Sequence, residues 1–311
     1  MRFEVKPYPE LSWSISRQRK LDRCPRAFYC SYYLAWNGWL DDAPAESQMA
    51  YRLNKLTSLD ALLGQQIDER ARELEAAARS GKPLPSAAEL EARTREALRK
   101  AWQASKSGRT AFERKPGKTV MLRSVYLEQD TRPETDRLNQ KAGQSMQGLL
   151  ATSHWERLRA CGEAGQVEVP DFASFAHDGI KVFAAPDLAY VAGGVLHVID
   201  WKTGRADDSN PMQVLLQMWW ALETYPELAQ AAADGSLAVR GYLEYVAAGS
   251  TQPVEAAPDF RGQAAETVHA GVARMRALLA DPEQNIPLEM AAFERRESGL
   301  CRSCSFLPIC A

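Results

Sequence analysis

The chain has 311 residues, 45% of them apolar, with 38 Lys and Arg against 40 Asp and Glu for a formal net charge of −2. That balance excludes a globally basic nucleic-acid coat but leaves room for a local basic groove, which is all that counterion release from phosphates needs. No apolar run approaches the roughly 18–20 residues of a membrane span, and the first residues carry no signal-peptide core, so a cytoplasmic protein of one or two domains is expected.

Residues 1–40 are rich in aromatics and basic residues, and within them "SISRQRKLDRC" predicts a short helix capped by Ser14 or Ser16, with Pro25 starting another. Leu59, Leu62, Leu63 and Ile67 recur at helical spacing ahead of a Gly-Lys-Pro stop. "SAAELEARTREALRKAWQASKSG" opens with a Ser-x-x-Glu capping-box pattern. Residues 134–161 are again helical in pattern, and a polar stretch near 106–132 is poorly patterned. From Gly165 the character changes: "QVEVPDFASF", "IKVFAAPDLAYV" and "VLHVIDW" predict three strand segments. "NPMQVLLQMWWALETYP" returns to helix, "LAVRGYLEYVAAG" is a further strand, and a last helix is expected over about 262–281.

The segment "PDLAYVAGGVLHVIDWK", residues 186–202, carries the chemistry. With Gly193-Gly194 as the centre of a two-residue turn, Asp187 falls directly opposite Asp200 on one face of the hairpin. Opposed Cβ atoms lie about 4.5–5.5 Å apart. The period of two returns Lys202 to that same face. Two carboxylates so close repel unless a cation lies between them. Mg²⁺ or Mn²⁺ takes a few carboxylate oxygens and keeps positions open for phosphate and water, and an adjacent ammonium can orient the water or offset charge. An Asp-x-Lys on a surface hairpin is common as a solvated ion pair; its opposition to Asp187 is what points to metal-dependent phosphodiester hydrolysis. Glu168 is a further candidate ligand or a surface strand residue. His197, on the strand face away from Asp200, is read as packing.

The sequence Pro186-Asp187 … Asp200-Trp201-Lys202 resembles the PD-(D/E)XK nuclease superfamily, and "DWKTGR" looks like the Asp-x-Lys-Thr-Gly of its RecB-like branch. The resemblance implies a restriction-endonuclease-like α/β fold: an α-βββ-α-β core with a central mixed sheet over 59–79 plus 164–250. It also implies a helical insertion over 80–163 and an N-/C-terminal Fe–S-binding region over 1–40 plus 290–311, all in one nuclease domain. Gln213 matches the Gln of that branch's Gln-x-x-x-Tyr motif, while Gln217 replaces the Tyr. In "GQQIDE", Gly64 and Glu69 match the branch's first motif, but Asp68 stands where a metal-contacting His belongs, so Asp68 joins Asp187 and Asp200 as an expected ligand. None of the four histidines, 154, 177, 197 and 269, falls there.

Three of the six cysteines form "CRSCSFLPIC" near the chain's end, and "RCPRAFYC" supplies a Cys-Pro-Arg near its start. The pairing resembles the iron–sulfur RecB-like nucleases, among them the CRISPR-associated adaptation nucleases and the AddB nuclease domain. It implies a structural [4Fe–4S] cluster on Cys24, Cys301, Cys304 and Cys310, with zinc as the alternative occupant. Cys30 and Cys161 are left over as buried thiols. Arg17, Arg19, Lys20 and Arg26, interleaved with Phe28, Tyr29, Tyr32, Tyr33, Trp36 and Trp39, suit a single strand with stacked bases, or else the aromatics close the core. The expected function is a Mg²⁺- or Mn²⁺-dependent deoxyribonuclease, an exonuclease on ends or single strands, in DNA repair, recombination or phage defence. Its partners would be DNA and a helicase or defence-system protein. The alternative is a catalytically silent nucleic-acid-binding or scaffolding module.

Overall fold

The structure, a computed structural model, describes residues 6–129 and 132–310. A two-residue strand β1 (Ser12–Trp13) leads into α1 (Ile15–Arg23), capped by Ser14, whose side chain accepts from the Arg17 N–H. Pro25 opens α2 (Pro25–Tyr29), which runs into a π-helical turn over Cys30–Leu34. Next come α3 (Ala45–Asn54), α4 (Leu59–Arg79) and α5 (Ala87–Ser107). Ser58 caps α4, and Ser86 with Glu89 closes the expected capping box on α5. The poorly patterned stretch folds as two short helices, α6 (Arg109–Arg114) and α7 (Arg123–Tyr126). The pattern over 134–161 divides into α8 (Arg132–Ala151) and α9 (His154–Cys161).

The strand region departs from three simple segments. "QVEVP" contributes only a bridge from Gln166 to Tyr190, and the first strand is β2 (Ser174–His177). The second segment splits into β3 (Ile180–Phe183) and β4 (Leu188–Ala192), with Pro186, which has no N–H for a ladder, at the break. Then follow β5 (Val195–Lys202), α10 (Asn210–Thr224), α11 (Pro226–Ala233), β6 (Ala238–Tyr245), β7 (Ser250–Glu255), α12 (Phe260–Arg276), β8 (Leu279–Asp281) and β9 (Ile286–Pro287). The last long helix ends before the expected position because the chain turns into the β8–β9 ribbon.

The central sheet is mixed, in the order β4-β5-β6-β7, with β5 and β6 parallel and the other pairs antiparallel. The earlier strands form a separate three-stranded sheet, β1-β3-β2. Its middle strand pairs with a segment distant in sequence, which local patterning does not reveal. The hairpin register is the expected one: Leu188 opposes Ile199 and Ala192 opposes Val195 across Gly193 (φ 58°) and Gly194 (φ 74°), left-handed positions that favour glycine.

Alternation along β5 builds two cores. Leu196 and Val198 face α10 and α12, while Ile199 and Trp201 face α4, α8 and α9. The insertion is joined to the sheet by His154, buried between Tyr190 Oη at 2.7 Å and Glu244 Oε1 at 2.9 Å. Gly241 lets α10 lie directly on β6: a Cβ there would meet Val214 Cγ1 at 2.2 Å. Among the described residues, no helix is long and apolar enough to cross a membrane.

Candidate active site and cysteine cavity

β5 ends in the candidate site residues Asp200 and Lys202. The alternation that buries Val198 carries Asp200 and Lys202 to the α10 side, so Lys202 Nζ lies 2.5 Å from Asp200 Oδ2. Asp200 is only 2% exposed. Gln213 and Gln217, four residues apart on α10 and therefore on one helical face, both donate to Asp200 Oδ1, at 2.7 and 2.9 Å. Gln217 also donates to the Ala185 carbonyl at 3.0 Å, and Gln213 Oε1 accepts from Lys202 Nζ at 3.1 Å. Two amide donors thus hold one oxygen of Asp200. Its Oδ2 receives no well-aligned hydrogen bond and has only the ammonium beside it.

Asp187 extends the β4 side of the ladder, its N–H donating to the Ile199 carbonyl at 3.1 Å, while its Oδ2 accepts from the Trp201 N–H at 2.7 Å. The carboxylate is crowded by protein yet opens on a cavity of about 350 Å³ shared with Asp68, Arg72, Glu75 and Glu168. Crowding, then the charges of Asp200 and Asp68, push the Asp187 carboxyl well above the usual carboxylate range, against the pull of the Trp201 N–H and Lys202. Burial likewise raises Asp68, which feels Arg72, Asp200 and Lys202. Asp68 and Asp187 line the cavity while Asp200 lies buried behind them, and among the described residues the three carboxylates do not bring their oxygens within 4.8 Å of one another. Carboxylates that destabilise one another's charge are nonetheless the donor chemistry of a hard divalent cation. These residues therefore fit the ion that the hairpin implies. Glu168 lines the same cavity, and its carbonyl accepts from Tyr225 Oη at 2.6 Å.

The basic residues near the start divide between two places. Arg19 donates to Asn210 Oδ1 at 3.1 Å and Gln213 Oε1 at 3.4 Å, joining α1 to the face of α10 that carries Gln213. Arg17 is held by the Ser12 carbonyl and hydroxyl and lies over the Tyr32 ring at 4.8 Å. It also lines a cavity of about 480 Å³ with Gln213, Gln217 and Phe172. Lys20 and Arg26 turn instead toward the cysteines. Lys20 donates to Ser31 Oγ at 2.8 Å, and Arg26 to the Phe293 carbonyl at 3.0 Å. Most of the adjacent aromatics close the core: Phe28 and Tyr33 are buried, and Tyr29 and Tyr33 both pack against Phe293.

Cys24, Cys301, Cys304 and Cys310 line one cavity of about 250 Å³, and Cys30 joins them. Burial, with Cys310, Cys304 and Cys24 nearby, pushes the Cys30 thiol up to about 12 despite Arg26. Burial also raises Cys304. Cys161 lies elsewhere, beside Gly165. Among the described residues, the triad of metal-ligating atoms within 4.8 Å of one another is His177, Asp178 and His269, so no three cysteine sulfurs converge to that degree. Four thiols around one space are a donor set that an iron–sulfur cluster or zinc could use.

Two named residues make contacts that sequence reading did not assign, and it did not single out a third residue. Gln217 stands on Asp200 like Gln213, and its four-residue spacing was the available signal. Arg19 acts through α10. Phe172, 83% exposed at a left-handed φ of 60°, borders both the Asp187 cavity and the Gln213–Gln217 cavity; nothing local distinguishes it.

A comparison with curated proteins finds no match. A family model described as the PD-(D/E)XK nuclease superfamily matches residues 12–311. That span takes in the opposed aspartates, Lys202, the two glutamines and the cysteine-rich tail, and the chain belongs to the PD-(D/E)XK nuclease superfamily.

Proposed function

We propose that the protein is a metal-dependent deoxyribonuclease of the RecB-like kind, acting as an exonuclease on ends or single strands. The observation that carries this reading is the pair Asp187 and Asp200 across one hairpin, with Lys202 Nζ against Asp200 and Gln213. Asp187, Asp200 and Asp68 would hold Mg²⁺ or Mn²⁺, which when bound makes water a better nucleophile and offsets charge on the phosphate. Gln213 and Gln217 fix the Asp200 carboxylate by two amide donors and leave its other oxygen toward Lys202. The Lys202 ammonium, held between Asp200 and Gln213, is placed to orient the attacking water and to stabilise negative charge as it develops. Gln213 is thus a positioning residue for both Asp200 and Lys202, and Arg19 supports it from α1.

Arg17 and the exposed ring of Phe172, which line one cavity with Gln213 and Gln217, offer charge and a stacking face of the kind a single strand requires. Cys24, Cys301, Cys304 and Cys310 would hold a [4Fe–4S] cluster whose role is structural, because a link between residues 24 and 301 closes most of the chain into one loop. Repair, recombination or phage defence, alongside a helicase or another defence protein, is the setting that the resemblance suggests.

The test is cleavage of end-labelled single- and double-stranded DNA in Mn²⁺, Mg²⁺ and EDTA, by protein purified without oxygen. Metal-dependent degradation that disappears in both Lys202→Ala and Asp200→Ala is the expected result. DNA binding without turnover in folded, cluster-loaded protein would instead favour the silent binding module.

A further inference from the structure

The turn between β2 and β3 reads His177-Asp178-Gly179, with Asp178 (φ 48°) and Gly179 (φ 74°) both left-handed between the paired residues His177 and Ile180. On the neighbouring helix α12, His269 Nε2 comes within 2.8 Å of Asp178 Oδ2. His177 Nε2 is 3.8 Å from that same oxygen. The two imidazoles stack at 5.0 Å between ring centroids and 21° between planes. All three ligand atoms lie within 4.8 Å of one another. The ring of His177 rests against Trp219 at 4.7 Å, which leaves its Nε2 without solvent contact and without a hydrogen-bond partner.

A surface His–Asp pair explains only part of this arrangement. It accounts for His269 and Asp178, a contact of small value when exposed. It does not account for a second imidazole whose shielded nitrogen faces the same carboxylate. An unpartnered polar nitrogen is a cost, and a cation shared by the three groups removes it. Two imidazole nitrogens and one carboxylate select a borderline divalent ion of the zinc kind over Mg²⁺, which prefers oxygen. We propose that His177, Asp178 and His269 form a zinc-class metal site, separate from the carboxylates of the nuclease centre and independent of the cysteine cavity.

Its consequence is mechanical. The ligands come from the β2–β3 turn and from α12, and α12 packs against β1 and α10. A bound ion would brace the three-stranded sheet against α12 and, through Trp219, against the helix that carries Gln213 and Gln217.

The experiment loads the full chain with Zn²⁺, and in parallel with Co²⁺, in excess Mg²⁺, and compares wild type with His269→Ala, Asp178→Asn and Asp187→Asn. His269 is more than half exposed, so its loss does not threaten the fold. Asn accepts the left-handed backbone of position 178 while being a poorer ligand. Wild type and Asp187→Asn are expected to hold one more equivalent of zinc than the other two variants. In those two, zinc affinity at this site falls at least about tenfold, and the zinc-induced rise in melting temperature and the visible cobalt bands of nitrogen–oxygen ligation are lost. Thiolate-to-cobalt absorption from the cysteines is unchanged throughout. Equal zinc content and equal thermal response in wild type and His269→Ala would overturn the proposal, as would zinc lost only in Asp187→Asn.

Discussion

Gln217 donates its side-chain amide to Asp200 Oδ1 at 2.9 Å, and does so from a position where the RecB-like pattern carries a tyrosine. The helix thereby supplies two amides to one buried carboxylate. Gln217→Leu removes one donor and leaves the Ala185 carbonyl unpaired as well. Loss of a hydrogen bond to a charged group costs about 1.5–3 kcal/mol. The expected outcome is a roughly 10- to 100-fold fall in kcat with little change in KM for DNA, measured by single-turnover cleavage. A change confined to KM would show that Gln217 contacts substrate instead.

Asp68 enters the same electrostatic cluster from α4. If it shares the metal, Asp68→Ala raises the Mg²⁺ concentration needed for half-maximal cleavage by about 10- to 100-fold, while Asp68→His partly restores metal use with a preference for Mn²⁺. Metal titrations of the three proteins test this. Unchanged metal dependence in Asp68→Ala would remove it from the ligand set.

Phe172 is exposed at the rim of two cavities, so its removal leaves no hole in a core. Stacking of a base on an aromatic ring contributes about 1–3 kcal/mol. Phe172→Ala should therefore weaken single-stranded DNA binding about 5- to 100-fold at unchanged melting temperature, read by fluorescence anisotropy. Phe172→Trp should bind at least as tightly as wild type.

His197 stacks between Tyr190 and Tyr242, and burial, then Arg157 and His154, lower its pKa to about 4. The unfolded chain takes up this proton near the ordinary value of 6.5, whereas the folded chain does not until about 4. Stability from this residue is thus fully present above about pH 6.5 and is lost as pH falls toward about 4, a contribution of roughly 3 kcal/mol. His197→Phe should flatten that limb of the stability curve in urea titrations between these pH values.

Gly241 is the contact point of α10 on β6. Gly241→Val forces its side chain into Val214 and Met218, and overpacking of this kind costs about 1–3 kcal/mol. Because α10 carries both glutamines, the substitution should lower melting temperature and activity together, as calorimetry and cleavage assays would record.

How much of this was legible differs by range. The opposition of Asp187 and Asp200 follows from a period of two and a Gly-Gly turn, and the helix starts near Ser14 and at Ser86 follow from capping chemistry, since each depends on residues close in sequence. The placement of β3 in a separate sheet was not legible, because it depends on pairing with β1 from the other end of the chain. The motif cysteines were visible by spacing, but the presence of Cys30 in their cavity was decided by how α2 runs into the following π turn.

The sequence by itself thus determined the register of the hairpin, the caps and the spacing of the tail cysteines, all set by bonds and periodicities within a few residues. Only the tertiary structure decided what stands around them: both glutamines on one oxygen of Asp200, Arg19 behind Gln213, and His269 beside the β2–β3 turn. Those meetings join residues far apart in the chain, and the burial of the two apolar faces of the central sheet, not any local preference, sets where the helices that carry them come to rest.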